Sequence, residues 1–168
     1  SNNSANWDGG AIYCCFGRLT IANCTFSGNS VSNSGGAIHC WNSSSASITN
    51  CTFSDNSASN SGGAIHCWNS SSASITNCTF SNNSAGYAGA VFCDSGSPTL
   101  TNCTFSDNSA GNEGGAIECY DSSLSLTNCT LSANNAGDYG GAIFCDSSTL
   151  TLNNCILWGN TASSSGNE

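Results

Sequence analysis

Apolar residues recur along this chain in short alternating runs separated by Ser, Asn and Gly, and the runs themselves return about every 26 residues. The clearest marker is Gly-Gly-Ala-Ile, at Gly9–Ile12, Gly35–Ile38, Gly62–Ile65, Gly114–Ile117 and Gly140–Ile143, with Ala88-Gly89-Ala90-Val91 in the fourth unit. The second glycines, at 10, 36, 63, 89, 115 and 141, define six units with steps of 26 or 27 residues. Ser32–Ser54 is repeated without change as Ser59–Ser81. A period of this size predicts a solenoid, in which each unit buries its apolar face only against its neighbours.

Within the second unit, Ala37-Ile38-His39-Cys40 alternates, placing Ile38 and Cys40 on one face and His39 and Trp41 on the other. After the polar stretch Asn42–Ala46, Ser47-Ile48-Thr49 gives a second strand with Ile48 inward. Asn50 breaks the alternation, and Cys51-Thr52-Phe53 gives a third strand with Cys51 and Phe53 inward. Ser54-Asp55-Asn56-Ser57 and the residues up to the next glycine pair are expected to close the coil as a turn. No window carries a 3.6-residue apolar stripe, so the prediction is an all-β parallel solenoid of about six coils with three short strands each. Residues 1–168 then form one continuous segment.

Stacked coils set equivalent residues above one another, about 4.8 Å apart. Ile12, Ile38, Ile65, Val91, Ile117 and Ile143 form one expected column; Phe26, Phe53, Phe80 and Phe105 continue as Leu131 and Leu157 in another. Asn23, Asn50, Asn77, Asn102, Asn128 and Asn154 fall at the break between second and third strands, where Asn tolerates the left-handed conformation a tight corner needs. Five of them sit in Asn-Cys-Thr glycosylation sequons, but a buried corner residue is not expected to carry a glycan. A second complete set is Asn29, Asn56, Asn83, Asn108, Asn134 and Asn160.

Gly-Gly-Ala-(Ile/Leu/Val) followed by Phe-x-x-Asn resembles the repeats of bacterial polymorphic outer-membrane proteins. The whole coil resembles the right-handed, single-stranded parallel β-helix of many bacterial secreted and surface proteins. The resemblance implies surface display, adhesion or a passenger rod. The same fold hosts pectate lyases and polygalacturonases, so catalysis has to be weighed on the residues.

Composition narrows the choice. Arg18 is the one basic residue against ten acids, a formal net charge of −9. That argues against nucleic acid, which is gripped by neutralising phosphates, and against anionic membranes. No apolar run is long enough to insert in a bilayer, and no export signal is visible after Ser1. Thirteen cysteines and no lysine suit an extracellular or cell-surface location.

Twelve cysteines fall into two inward columns: Cys14, Cys40, Cys67, Cys93, Cys119 and Cys145, then Cys24, Cys51, Cys78, Cys103, Cys129 and Cys155. They read either as small buried hydrophobes or as disulfides between neighbouring coils. Cys15 has the outward parity, free or bridging to another molecule. Asp94, Asp121 and Asp146 are the candidate calcium ligands, and no other cofactor is indicated. Acids for glycoside hydrolysis would be Asp55 with Asp107, or Asp94 with Asp146, each pair about 10 Å apart across two coils. These acids recur as turn residues, and the expectation is a non-enzymatic protein.

The outward face of the first strand is the candidate interaction site. One row reads Tyr13, His39, His66, Phe92, Glu118 and Phe144; the next carries Trp41, Trp68 and Tyr120. Such a face is expected to be covered by a neighbouring rod or a long turn, or to stack on a polysaccharide or a surface protein. Ser1–Asp8 and Thr161–Glu168 resemble parts of adjoining units, so either a longer repeat protein or end-to-end self-association is expected.

Overall fold

A computed structural model describes residues 1–164 of the chain. Every regular element among them is a β-strand, and all pairings are parallel. Strands fall into three six-stranded sheets and one seven-stranded sheet, each built from one strand per coil. The second coil shows the plan: Ile38–Trp41, Ser45–Thr49, Thr52–Ser54 and Ser57–Ala58.

The three expected strands are present, and a fourth of two residues lies where a turn was expected. It pairs Ser30-Val31 with Ser57-Ala58, and continues through Ser109-Ala110 to Thr161-Ala162. Two residues are too few to show alternation, and the inward one is mostly Ala, which adds little to an apolar pattern.

Register is strict. Ile12, Ile38, Ile65, Val91, Ile117 and Ile143 are successive cross-strand partners. Phe26, Phe53, Phe80 and Phe105 stack with ring centroids 4.6–4.9 Å apart and planes within 5° of parallel. The ring separation equals the strand separation, so these rings fit the sheet without tilting it.

Each corner is turned by left-handed residues. Asn23, Asn50, Asn77, Asn102, Asn128 and Asn154 all have φ between 51° and 56°. The first glycine of the tag does the same at the last corner, with Ala88 at φ 52° in the fourth unit. The second glycine answers a different need: a Cβ on Gly36 would lie 1.9 Å from the Gly63 carbonyl oxygen of the next coil. Only glycine lets the coils approach there.

The two Asn columns differ in kind. The corner column is exposed, contrary to expectation, because a corner points its side chain away from both sheets it joins. Its amides form an outer chain, as in Asn77 Nδ2 donating to Asn50 Oδ1 at 3.1 Å. The second column is buried, with Asn56 and Asn83 fully shielded from solvent. Asn83 Oδ1 accepts from the backbone N–H and the amide of Asn56, at 3.0 and 2.9 Å. Its Nδ2 donates down to the Phe53 carbonyl at 3.0 Å and up to Asn108 Oδ1 at 3.0 Å.

These columns should separate on substitution. Asn83→Ala leaves the Asn56 donors and the Phe53 carbonyl unpaired in a dry interior and should cost about 3 kcal/mol or more. Asn77→Gly keeps the left-handed corner and loses only exposed bonds, for about 1 kcal/mol or less. Urea unfolding of the two variants measures both; equal losses would contradict this division.

Candidate functional site

The outward face of the first sheet gathers most of the aromatic and titratable side chains. Three rows run along it. The middle row is Tyr13, His39, His66, Phe92, Glu118 and Phe144, in consecutive register. On one side lie Trp41, Trp68, Asp94, Tyr120 and Asp146. On the other lies a row absent from the sequence reading: Asp8, Ser34, Ser61, Tyr87, Glu113 and Tyr139, each five residues before its neighbour in the middle row.

This third row changes the picture of the face. His39, His66 and Phe92 are buried, whereas Tyr13, at the first coil, stays half exposed. The covering comes from the chain's own closing segment, which turns at Gly35 and packs Ser34 and Gly35 against His39. Trp41 and Trp68 close the other side, with ring centroids 5.8 and 5.6 Å from His39 and His66. Along the axis, His39 stacks on Tyr13 at 5.2 Å and His66 on Phe92 at 4.9 Å. What remains accessible is the pair of flanking ridges: Trp68, Tyr120, Tyr87 and Tyr139 are each 37–45% exposed. Phe144 is half-buried beside Tyr139, at 6.3 Å.

Burial dictates the chemistry. His39 Nδ1 lies 3.3 Å from His66 Nδ1, 3.4 Å from the Ser34 carbonyl oxygen and 3.5 Å from Asp8 Oδ1. Removal from water pushes His39 below the ordinary imidazole value despite Asp8, and pushes His66 well below it, with His39 adding to the effect. Both rings are therefore neutral near pH 7. The proton of His39 is best placed on Nδ1, where Ser34 and Asp8 accept it, leaving its buried Nε2 bare and without a partner.

Glu118 occupies the same row between Phe92 and Phe144, 7% exposed, with Oε2 unpartnered. Burial, then the charge of Glu113, lifts its carboxyl from the ordinary 4.5 to about 8. Glu113 is raised as well, by burial and by Asp138 and Asp146.

The remaining candidates are dispersed. The first cysteine set occupies consecutive inward positions of the first sheet. In the second set each Sγ donates to the carbonyl two residues earlier, as Cys78 does to Thr76 at 3.2 Å, bracing the Asn corner. All thirteen cysteines are free thiols, and Cys15 is exposed. Asp55 and Asp107 are left-handed corner residues at φ 57° and 56°, with Asn82 in the coil between them. Asp94 and Asp146 accept from the neighbouring Ser95 and Ser147 hydroxyls, and no group of three ligand side chains forms among the described residues. A buried serine column also escaped the sequence reading: Ser44 Oγ donates to the Trp41 carbonyl at 2.6 Å and accepts from Gly17 N–H at 3.3 Å. Serine recurs there at 71, 122 and 148, a signal hidden by the surrounding serines. No helix among the described residues is long and apolar enough to cross a membrane.

The family model described as a right handed beta helix region matches residues 1–157. No curated protein and no solved structure matches the chain.

The face should report its burial through pH. A carboxyl raised on folding adds stability below its unfolded value, lost as pH climbs from about 4.5 through about 8. Imidazoles lowered on folding act oppositely: their contribution is full above about 6.5 and is lost as pH falls. Glu118→Gln should therefore raise stability at pH 9 by about 1–3 kcal/mol, several degrees of Tm, and change it little at pH 5. Thermal unfolding at the two pH values tests this; an equal effect at both would show that Glu118 is not buried in its neutral form.

Proposed function

Because the chain belongs to the right-handed parallel β-helix family, we propose that it is a non-enzymatic structural segment of an extracellular or cell-surface fibre. The observation that carries this reading is the buried asparagine column, in which each amide bonds to the coil below and the coil above. Cohesion of that kind is the same at every level of a rod and does not depend on its length. The unchanged repetition of Ser32–Ser54 as Ser59–Ser81 fits an element that grows by adding units. The likeness of its Gly-Gly-Ala-Ile and Phe-x-x-Asn motifs to surface-displayed bacterial repeats supports the location.

End-to-end association is the partner chemistry this reading favours. The sixth coil presents Leu150, Leu152, Ile156 and Leu157 exposed beside unpaired strand edges. A first coil of a second copy would offer Leu19, Ile21 and Phe26 in matching positions. A second reading, an adhesin, is favoured by the exposed ridges of Trp68, Tyr120, Tyr87 and Tyr139, whose rings suit a sugar or a protein surface.

Electron microscopy of the concentrated protein separates the two. Filaments with an axial repeat of about 29 Å are expected, and Ile156→Lys with Leu157→Lys should abolish them. Particles that remain single at every concentration would remove end-to-end association. Glycan-array binding lost in Trp41→Ala with Trp68→Ala would move the assignment to the adhesin.

A further inference from the structure

The second sheet presents a surface unlike the first. Its strands, such as Ser45–Thr49, Ser72–Thr76 and Ser123–Thr127, alternate a buried apolar residue with an outward hydroxyl. In register, Ser47, Ser74, Thr99 and Ser125 form one outward column. Thr49, Thr76, Thr101 and Thr127 form the next. Thr20 and Thr151 extend the first column to the outer coils, while Ala22 and Asn153 stand at the ends of the second.

We infer that this hydroxyl lattice binds the surface of ice. The inference does not depend on self-association. Three features of the face select the ligand. First, it is almost free of charge: Arg18 at the first coil is its one ionic group, and none of the ten acids lies on these strands. A charged polymer would find nothing to pair with. Second, outward positions of these strands carry no aromatic residue, the group that sugars stack on and that anchors protein interfaces. Third, its hydroxyls are periodic in two directions, about 4.8 Å between strands and about 6.6 Å between alternate residues of one strand.

A partner for such a surface has to be uncharged, rich in hydrogen-bonding groups and itself periodic. The oxygen atoms of an ice prism surface also repeat in two directions, at a distance comparable to the first spacing and somewhat longer than the second. The parallel sheet holds the hydroxyls in place, and the branched threonine side chains have few rotamers to lose. A water bridging two groups makes nearly a full hydrogen bond but loses freedom when it is fixed. Water at a growing ice front has already lost that freedom, so many weak contacts add up without that cost. The sheet dips along its first-corner side, where Arg18, Ser45, Ser72 and Ser97 border a shallow depression together with Ser47, Ser74 and Thr99 of the first hydroxyl column. The threonine column lies on the opposite margin, towards the asparagine corner.

The test is microscopy of a single ice crystal in a solution of the whole chain, with thermal hysteresis read from its melting and freezing points. Faceted crystals and a measurable hysteresis gap are expected. Thr76→Lys with Thr101→Lys should abolish both, whereas Ser84→Lys, on the fourth sheet, should leave them intact, with circular dichroism confirming the fold of each. Should the double variant unfold, Ser74→Tyr on the adjoining column serves instead. Rounded crystals without hysteresis would overturn the inference, and so would hysteresis unaffected by these substitutions. Sedimentation with crystalline chitin or cellulose, if positive where ice is negative, would assign the face to a polysaccharide crystal.

Discussion

Every residue in this solenoid has to tolerate a near-copy of its own position about 4.8 Å above and below it. That constraint sorts the amino acids. An amide is self-complementary, donating to one neighbour and accepting from the other, so Asn fills two whole columns. A phenyl ring stacks on a phenyl ring. A carboxylate on a carboxylate does not, since two like charges at that distance repel whether exposed or buried. The described acids obey the rule one by one: Asn82 lies between Asp55 and Asp107, Tyr120 between Asp94 and Asp146, and Phe92 and Phe144 flank Glu118. Scarcity of charge in the composition is therefore a condition of the architecture.

His39 and His66 are the case where two titratable copies do stack, and the structure keeps both neutral. Glu118 reaches the same end by a different route, holding its proton between two aromatic neighbours. From His39 to Glu118 the middle row of the first face is thus a dry stripe on the outside of the rod. It is shielded by a segment that leaves the fourth sheet and runs back alongside the strand it precedes.

Much of this was legible in the sequence because the same residue types recur: the isoleucine, phenylalanine and asparagine columns, and the left-handed asparagine corner, lie where the repeat puts them. What recurrence does not carry was missed. The fourth strand has two residues per coil and an inward Ala, too little for a period to register. The covering row runs Asp, Ser, Ser, Tyr, Glu, Tyr, with no type in common, so alignment of the units gave it no prominence. Alternation assigned His39 to the outer face correctly, yet parity says only which way a side chain points. Whether something lies over it depends on the path of the chain between strands. The same gap made the corner asparagines look buried, because a break in alternation marks a corner without saying which side of it the amide occupies.

The four faces consequently differ although one repeat builds them all. Charge and aromatic area gather on the first sheet and its flanks, whereas the second sheet carries hydroxyls with a single cation at one end. Inward positions are fixed by the demand that each side chain fit its own copy, and only outward positions are free to diverge. Within that freedom, a column of one residue type turns a single short side chain into a periodic surface. A solid ligand can use such a surface better than a small molecule can, since the second sheet offers only a shallow depression but supplies the same group at every level. The serine and threonine columns and the ridges of Trp and Tyr are two outcomes of that one rule, and each carries the chemistry of its residue multiplied along the axis.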